Sequence, residues 1–229
     1  MTGKTALLLI GSPRGLKSSS ASLGMYLVGR LEKQGFEGKG LRVQPLARSA
    51  EGLERLASEV NASDVAIFAA PLYIDSIPAP LIAAMEYLHE NRKAKKPPKS
   101  PLMVALVNGG FPEPSQSATA LAIYQKFATD AGFSWAGGLA YASGQAAIDS
   151  RPLEKIGFLA RKVRRSLDLA AAALAGGKPI PGEARVIAAK PIIPVWMFLP
   201  VGNLLWWRSR VKDKQVWKGM RARPYQGKG

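Results

Sequence analysis

Ten residues near the amino end, Gly11-Ser12-Pro13-Arg14-Gly15-Leu16-Lys17-Ser18-Ser19-Ser20, gather two glycines, two cations and four hydroxyls. They follow the apolar run Leu7 to Ile10. They precede Leu23, Leu27 and Leu31, which recur at helical spacing. Serines at a helix start cap its free N–H groups. Those same groups, with the positive end of the helix dipole, make an anion site. Arg14 or Lys17 would add a charge-assisted bond to a phosphate. A bare cap needs one hydroxyl, so four of them with Arg14 favour phosphate binding over capping alone.

The loop also says which phosphate ligands do not fit. The dinucleotide pattern G-x-G-x-x-G is absent, because Ser12-Pro13 follow Gly11 and the next glycine is Gly15. The triphosphate loop G-x-x-x-x-G-K-[ST] is a near miss: Lys17-Ser18 match its end, but Leu16 stands where its second glycine belongs. The next apolar strand, Val65 to Ala70, lacks an acidic residue at its end to hold magnesium. A hydroxyl-rich loop of this kind suits a terminal monophosphate, as on flavin mononucleotide (FMN).

Two further segments could meet a planar ligand. Pro71 to Pro80 holds three prolines in ten residues, which no helix interior or central strand accommodates, so a rigid loop is expected after the strand ending at Ala70. Tyr73 in that loop could stack on a ring or simply cover the core rim. Asn108-Gly109-Gly110-Phe111 follows another apolar run, Pro101 to Val107. Paired glycines there would let a ligand approach the backbone, or make only a tight turn.

Taken together, Gly11-Ser12-Pro13-Arg14 with Ser18-Ser19-Ser20, Pro71 to Leu81, and Asn108 to Glu113 resemble, in order, the three flavin loops of the NAD(P)H-dependent FMN reductase family of flavodoxin-like proteins. The resemblance spans roughly residues 5–175. It implies FMN as cofactor and NAD(P)H as electron donor. It assigns Ser12, Arg14, Ser18, Ser19 and Ser20 to the phosphate. Pro71, Leu72, Tyr73, Ile74 and Asp75 would lie along the ribityl chain and ring, and Asn108, Gly109, Gly110 and Phe111 would offer contacts to the ring. No side chain is assigned an acid or base role. A homo-oligomer is implied as well.

The elements that must position these loops alternate regularly. Strands are expected over 5–10, 41–45, 65–70, 101–107 and 135–142. Helices are expected over 18–33, 50–60, from Ile82, over 115–131 and over 151–174, the last stopped by Gly176-Gly177. Five such alternations imply an α/β fold: a five-stranded parallel sheet with helices on both faces. In the flavodoxin-like order 2-1-3-4-5, the strands before the three loops are neighbours, and their carboxyl ends meet at the switch point of the sheet.

Composition sets further limits. The 229 residues suffice for a sizeable core. The absence of cysteine excludes disulfides, thiolate nucleophiles and cysteine-ligated metals. The single histidine, His89, is expected near a helix end, as a cation suited to the dipole. Arg92 to Lys99 reads as a solvated basic loop. The net charge of +16 favours anionic partners. The chain opens into a strand without a secretory pattern, so a cytoplasmic location is expected.

Beyond Gly177 the composition changes. The expected division is a flavodoxin-like domain over 1–177 and a linker with a C-terminal extension over 178–229. Ile192 to Trp207 carries no charge and includes Trp196, Phe198, Trp206 and Trp207; Arg208, Arg210, Lys212, Lys214, Lys218, Arg221 and Arg223 follow. The run is too short and too interrupted to span a membrane. Docking on protein is the favoured reading, contact with a membrane surface the second, and nucleic acid the least favoured. The function expected is an FMN-dependent NAD(P)H oxidoreductase passing electrons to a quinone, flavin or similar small acceptor. The alternative is a non-enzymatic electron carrier, or a flavin-bearing module recruited through its basic aromatic tail.

Overall fold

The computed structural model describes residues 3–142, 148, 150–192, 196–197, 199–200 and 202–204. Ile193–Gly229 forms a unit separate from Met1–Ile192. Most of the predicted tail, including Trp206, Trp207 and the cations after them, lies outside the described residues.

The strands are β1 (Lys4–Ile10), β2 (Phe36–Arg42), β3 (Val65–Pro71), β4 (Leu102–Asn108) and β5 (Ser134–Tyr141). They form one parallel sheet in the order β2-β1-β3-β4-β5. A parallel sheet is covered on both faces, so its central strands read as unbroken apolar runs. That is why β1, β3 and β4 were legible and why their interiors are fully buried. On one face pack the helices α1 (Ser19–Glu32), α6 (Arg161–Ala175) and α7 (Gly182–Ala188). On the other lie α3 (Ala50–Ala62), α4 (Ala79–Lys95) and α5 (Ala118–Asp130), preceded by the short α2 (Val43–Leu46).

The structure corrects several boundaries. β2 covers 36–42 rather than 41–45, and Val43–Leu46 turns into helix. Pro45 sits in the first turn of that helix, where its missing N–H costs nothing. β2 carries few apolar residues because it is an edge strand, and it is held by its ladder to β1. The helix expected over 151–174 is broken: Leu153–Ala160 is a 3-10 segment with Gly157 at φ 70°, and the regular helix starts at Arg161. The segment read as a linker, 178–189, belongs to the first unit, which runs to Ile192 rather than ending at 177. The Ile180 amide donates to the Ala136 carbonyl (2.7 Å), and Ile180, Ala184 and Ala188 are buried. Small residues give that segment a weak hydrophobic pattern, yet they allow close packing on the sheet.

His89 lies inside α4, which continues to Lys95, and its Nδ1 meets Glu90 at 3.0 Å. Arg92 is not in a solvated loop. It is 5% exposed, stacks 4.2 Å from the Phe133 ring centroid, and donates to the carbonyls of Ala131 (2.6 Å), Gly132 (3.0 Å) and Lys99 (3.2 Å) and to Asn61 Oδ1 (2.6 Å). Burial lowers its pKa, and four acceptors offset the cost of desolvating the charge.

Candidate functional site

The loop after β1 is built from its own hydroxyls. Ser18 caps α1: its Oγ accepts the Ala21 amide (3.1 Å) and donates to the Gly15 carbonyl (2.6 Å). Ser12 Oγ accepts the Arg14 amide at 3.3 Å. Gly15 takes φ +56°, a region that favours glycine, and so lets the chain turn into the helix without strain.

Register brings the other two loops alongside. Ile10 pairs with Ala69, Pro71 with Asn108, and Asn108 with Tyr141. Asn108 ties all three loops together. Its carbonyl accepts the Leu72 amide (3.0 Å), and its buried side-chain oxygen accepts the Ser20 hydroxyl (2.6 Å). Tyr141, at the end of β5, bonds Ser166 in α6 (2.9 Å); burial pushes its phenol pKa up, which leaves it neutral.

Ser12, Arg14, Ser18, Ser19, Ser20, Pro71, Tyr73 and Asn108 line a cavity of about 70 Å³ at these carboxyl ends. Ser19 Oγ is buried there with no hydrogen-bond partner. A buried hydroxyl left unpaired is costly. The first-turn amides of Ser19 and Ser20 also lack intrahelical acceptors. An acceptor-rich anion such as a phosphate would satisfy all three, so the residues present fit the phosphate end of FMN. Ser18, its donor already committed, acts mainly as the cap. Two larger cavities, along the β2 edge and between α4 and α5, gather no serine hydroxyls.

The remaining predicted site residues stand outside that cavity. Leu72 is half-buried against the core of the α3–α5 face. Tyr73 and Ser76 close a tight turn by exchanging backbone bonds of 2.9 and 3.1 Å, with Ile74 at φ 47° and Asp75 at φ 59°. An isoleucine at positive φ is a strained outlier, and strain of this kind concentrates at ligand sites. Ile74 is 99% exposed at the tip. Gly109 is buried, and a Cβ there would find only Leu72 at 3.8 Å, so the protein itself does not require glycine at this position. Gly110 and Phe111 are exposed. Sequence reasoning missed the strained turn, since an isoleucine at the tip carries no turn signal, and it missed the Ser20–Asn108 link. Among the described residues no His, Asp or Glu cluster has the makings of a metal site.

Residues 5–112 match the family model described as NADPH-dependent FMN reductase. No curated protein sequence matches the chain. Solved structures share its fold at low identity. One is a flavone reductase (12% identity, TM-score 0.57), where the alignment covers 76% of this chain but only 65% of that one. Another is an FMN-dependent NADH-azoreductase from Bacillus anthracis str. Ames Ancestor in complex with FMN (10% identity, TM-score 0.56, 75% of this chain and 100% of that one). A third is RosB with bound 8-demethyl-8-formylriboflavin-5′-phosphate (13% identity, TM-score 0.59, 87% of this chain and 86% of that one).

Proposed function

We propose, on the premise that residues 5–112 belong to the NADPH-dependent FMN reductase family, that this chain passes electrons from NAD(P)H to a small acceptor such as a quinone or a flavin. The family brings oxidoreductase activity and FMN as cofactor. The observation that carries the reading is the unpartnered Ser19 hydroxyl beside the first-turn amides of α1, in the cavity where Ser12, Arg14 and Ser20 converge.

Bound FMN would supply the hydride chemistry. Ser12, Arg14 and Ser19 would hold its phosphate together with the first-turn amide of Ser20, whose hydroxyl is committed to Asn108, and Arg14 would do so through a charge-assisted pair. The backbone of Gly109 and Gly110 and the exposed faces of Tyr73 and Phe111 would shape the ring's surroundings. Asn108 acts as a positioning residue, because it locks the first loop to the second.

The test is a reductive titration of the purified protein loaded with FMN. NADH or NADPH should bleach the flavin band, and a quinone should restore it with turnover. Failure of both donors to reduce the flavin would sink this reading. The homo-oligomer implied by the resemblance is checked by light scattering on the same sample.

A further inference from the structure

The break at Gly157 has a surface consequence. With φ at 70°, Gly157 interrupts the helix just before Phe158-Leu159. The buried neighbours of that pair are Leu153 and Ala160, while Phe158 is left 81% exposed and Leu159 51% exposed. Beyond the break the Arg161 amide donates to the Phe158 carbonyl, so residues 158–162 already turn helically. Phe158 therefore shares a face with Arg161 and Lys162, three and four residues on.

The surroundings are cationic. From Arg151 to Arg165 there are six cations and one acid, Glu154. Two of the cations serve the fold: Arg164 donates to the carbonyls of Leu153 (2.8 Å) and Gly157 (3.0 Å), and Arg165 pairs with Glu183 (2.8 Å). Lys155, Arg161 and Lys162 are exposed. Arg161 and Lys162 stand in the first turn of α6, where the dipole disfavours cations. An intrinsic helix preference therefore does not account for them.

We propose that Phe158 and Leu159, with the exposed Arg161 and Lys162 beside them and Lys155 just before the break, form a docking surface for a bilayer containing anionic lipid. The apolar pair enters the interface and the cations meet the headgroups. A nucleic acid backbone would satisfy the cations but leave two large apolar side chains in water, so lipid matches the surface better. The orientation is informative. Ser166, in the second turn of α6, bonds Tyr141 at the end of β5, which places the start of α6 at the carboxyl edge of the sheet. The docking surface and the phosphate cavity thus share one edge, and a docked protein would present its flavin edge towards a bilayer.

The experiment is co-sedimentation of the full chain with vesicles of phosphatidylcholine alone or mixed with phosphatidylserine. Binding should require the anionic lipid and weaken between 0.1 and 1 M salt, where screening shortens from about 10 to about 3 Å. Phe158→Ser/Leu159→Ser should reduce binding about tenfold or more, and Arg161→Gln/Lys162→Gln by a similar factor, since a single weak anchor holds poorly. FMN binding and the melting curve should be unchanged in both variants. Undiminished vesicle binding by both would assign any membrane affinity to residues 193–229 and overturn the proposal. So would absence of binding by the parent, a loss of oligomer in the Phe158 variant, or tighter binding to duplex DNA than to anionic vesicles.

Discussion

The loops after β1 and β3 sit side by side at one edge of the sheet, yet they reach their shapes by opposite means. The first is relaxed: Gly15 takes the positive φ, Ser18 caps α1, and Ser12 bonds the Arg14 amide. The second is strained, since Ile74 and Asp75, neither of them glycine, both take positive φ. Each such residue costs roughly 1–3 kcal/mol. The relaxed loop presents unspent donors, Ser19 Oγ above all, to an anion. The strained loop spends stability to hold Tyr73 half-exposed and Ile74 fully exposed beside the same cavity. The contrast fits the proposed division of tasks: donors at a helix start for a phosphate, and an exposed Tyr73 and Ile74 held out by a strained turn.

The largest effect is expected from breaking the first loop's charge. Arg14→Ala should weaken FMN binding about 10- to 100-fold, because an unmade charged hydrogen bond costs about 1.5–3 kcal/mol. Lys17→Ala, outside the cavity lining, should change it much less. Equal affinities by fluorescence titration would refute this placement.

Uncoupling the two loops comes next. Ser20→Ala removes the 2.6 Å bond to the buried Asn108 oxygen and leaves that acceptor unpaired. A loss of about 1–3 kcal/mol is expected, read as a lower melting temperature, together with weaker FMN binding. An unchanged melting curve would mean that the loops are held independently.

The strained loop predicts the reverse sign. Ile74→Asn puts a residue that tolerates positive φ at the tip, and should raise stability by about 0.5–1 kcal/mol. Turnover with a quinone should fall. A variant both less stable and fully active would show that the turn is not strained for function.

The smallest effect at neutral pH concerns the contact between α1 and α6, away from both loops. The Tyr26 hydroxyl donates to Asp168 of α6 at 3.0 Å. Burial first, then the hydrogen bond and charge of Asp168, raise its pKa from 10 to about 12. Between those values the unfolded chain releases the proton while the folded chain retains it, so stability falls as pH rises from 10 to 12. Tyr26→Phe should flatten that part of the alkaline unfolding profile and leave the β3 turn untouched. A profile identical to the parent's would remove Tyr26 as the cause.

The site was legible to the extent that its chemistry was local. Ser12, Arg14, Ser19 and Ser20 announce a phosphate loop by type and spacing, and they converge in the structure. Ile74 and Asp75 enter through the resemblance of their loop, and nothing in the identity of Ile74 foretells its positive φ. Leu159 shows the limit most clearly. Its spacing with Ile156 and Val163 predicts a buried helix face, and one glycine two residues earlier turns it outward.

By itself the sequence determined the sheet. Unbroken apolar runs at 5–10, 65–70 and 101–107 must be buried on both faces, and right-handed crossovers then leave few orders for the strands. It also determined the cap of α1, since capping hydroxyls and first-turn amides are consequences of neighbouring residues. Tertiary structure alone decided the bounds of the edge strand β2, the burial of Arg92, the attachment of 178–192 to the first unit, and the Ser20–Asn108 bond across 88 positions. Each of these depends on partners distant in the chain. Their energies come from contacts that no local pattern encodes.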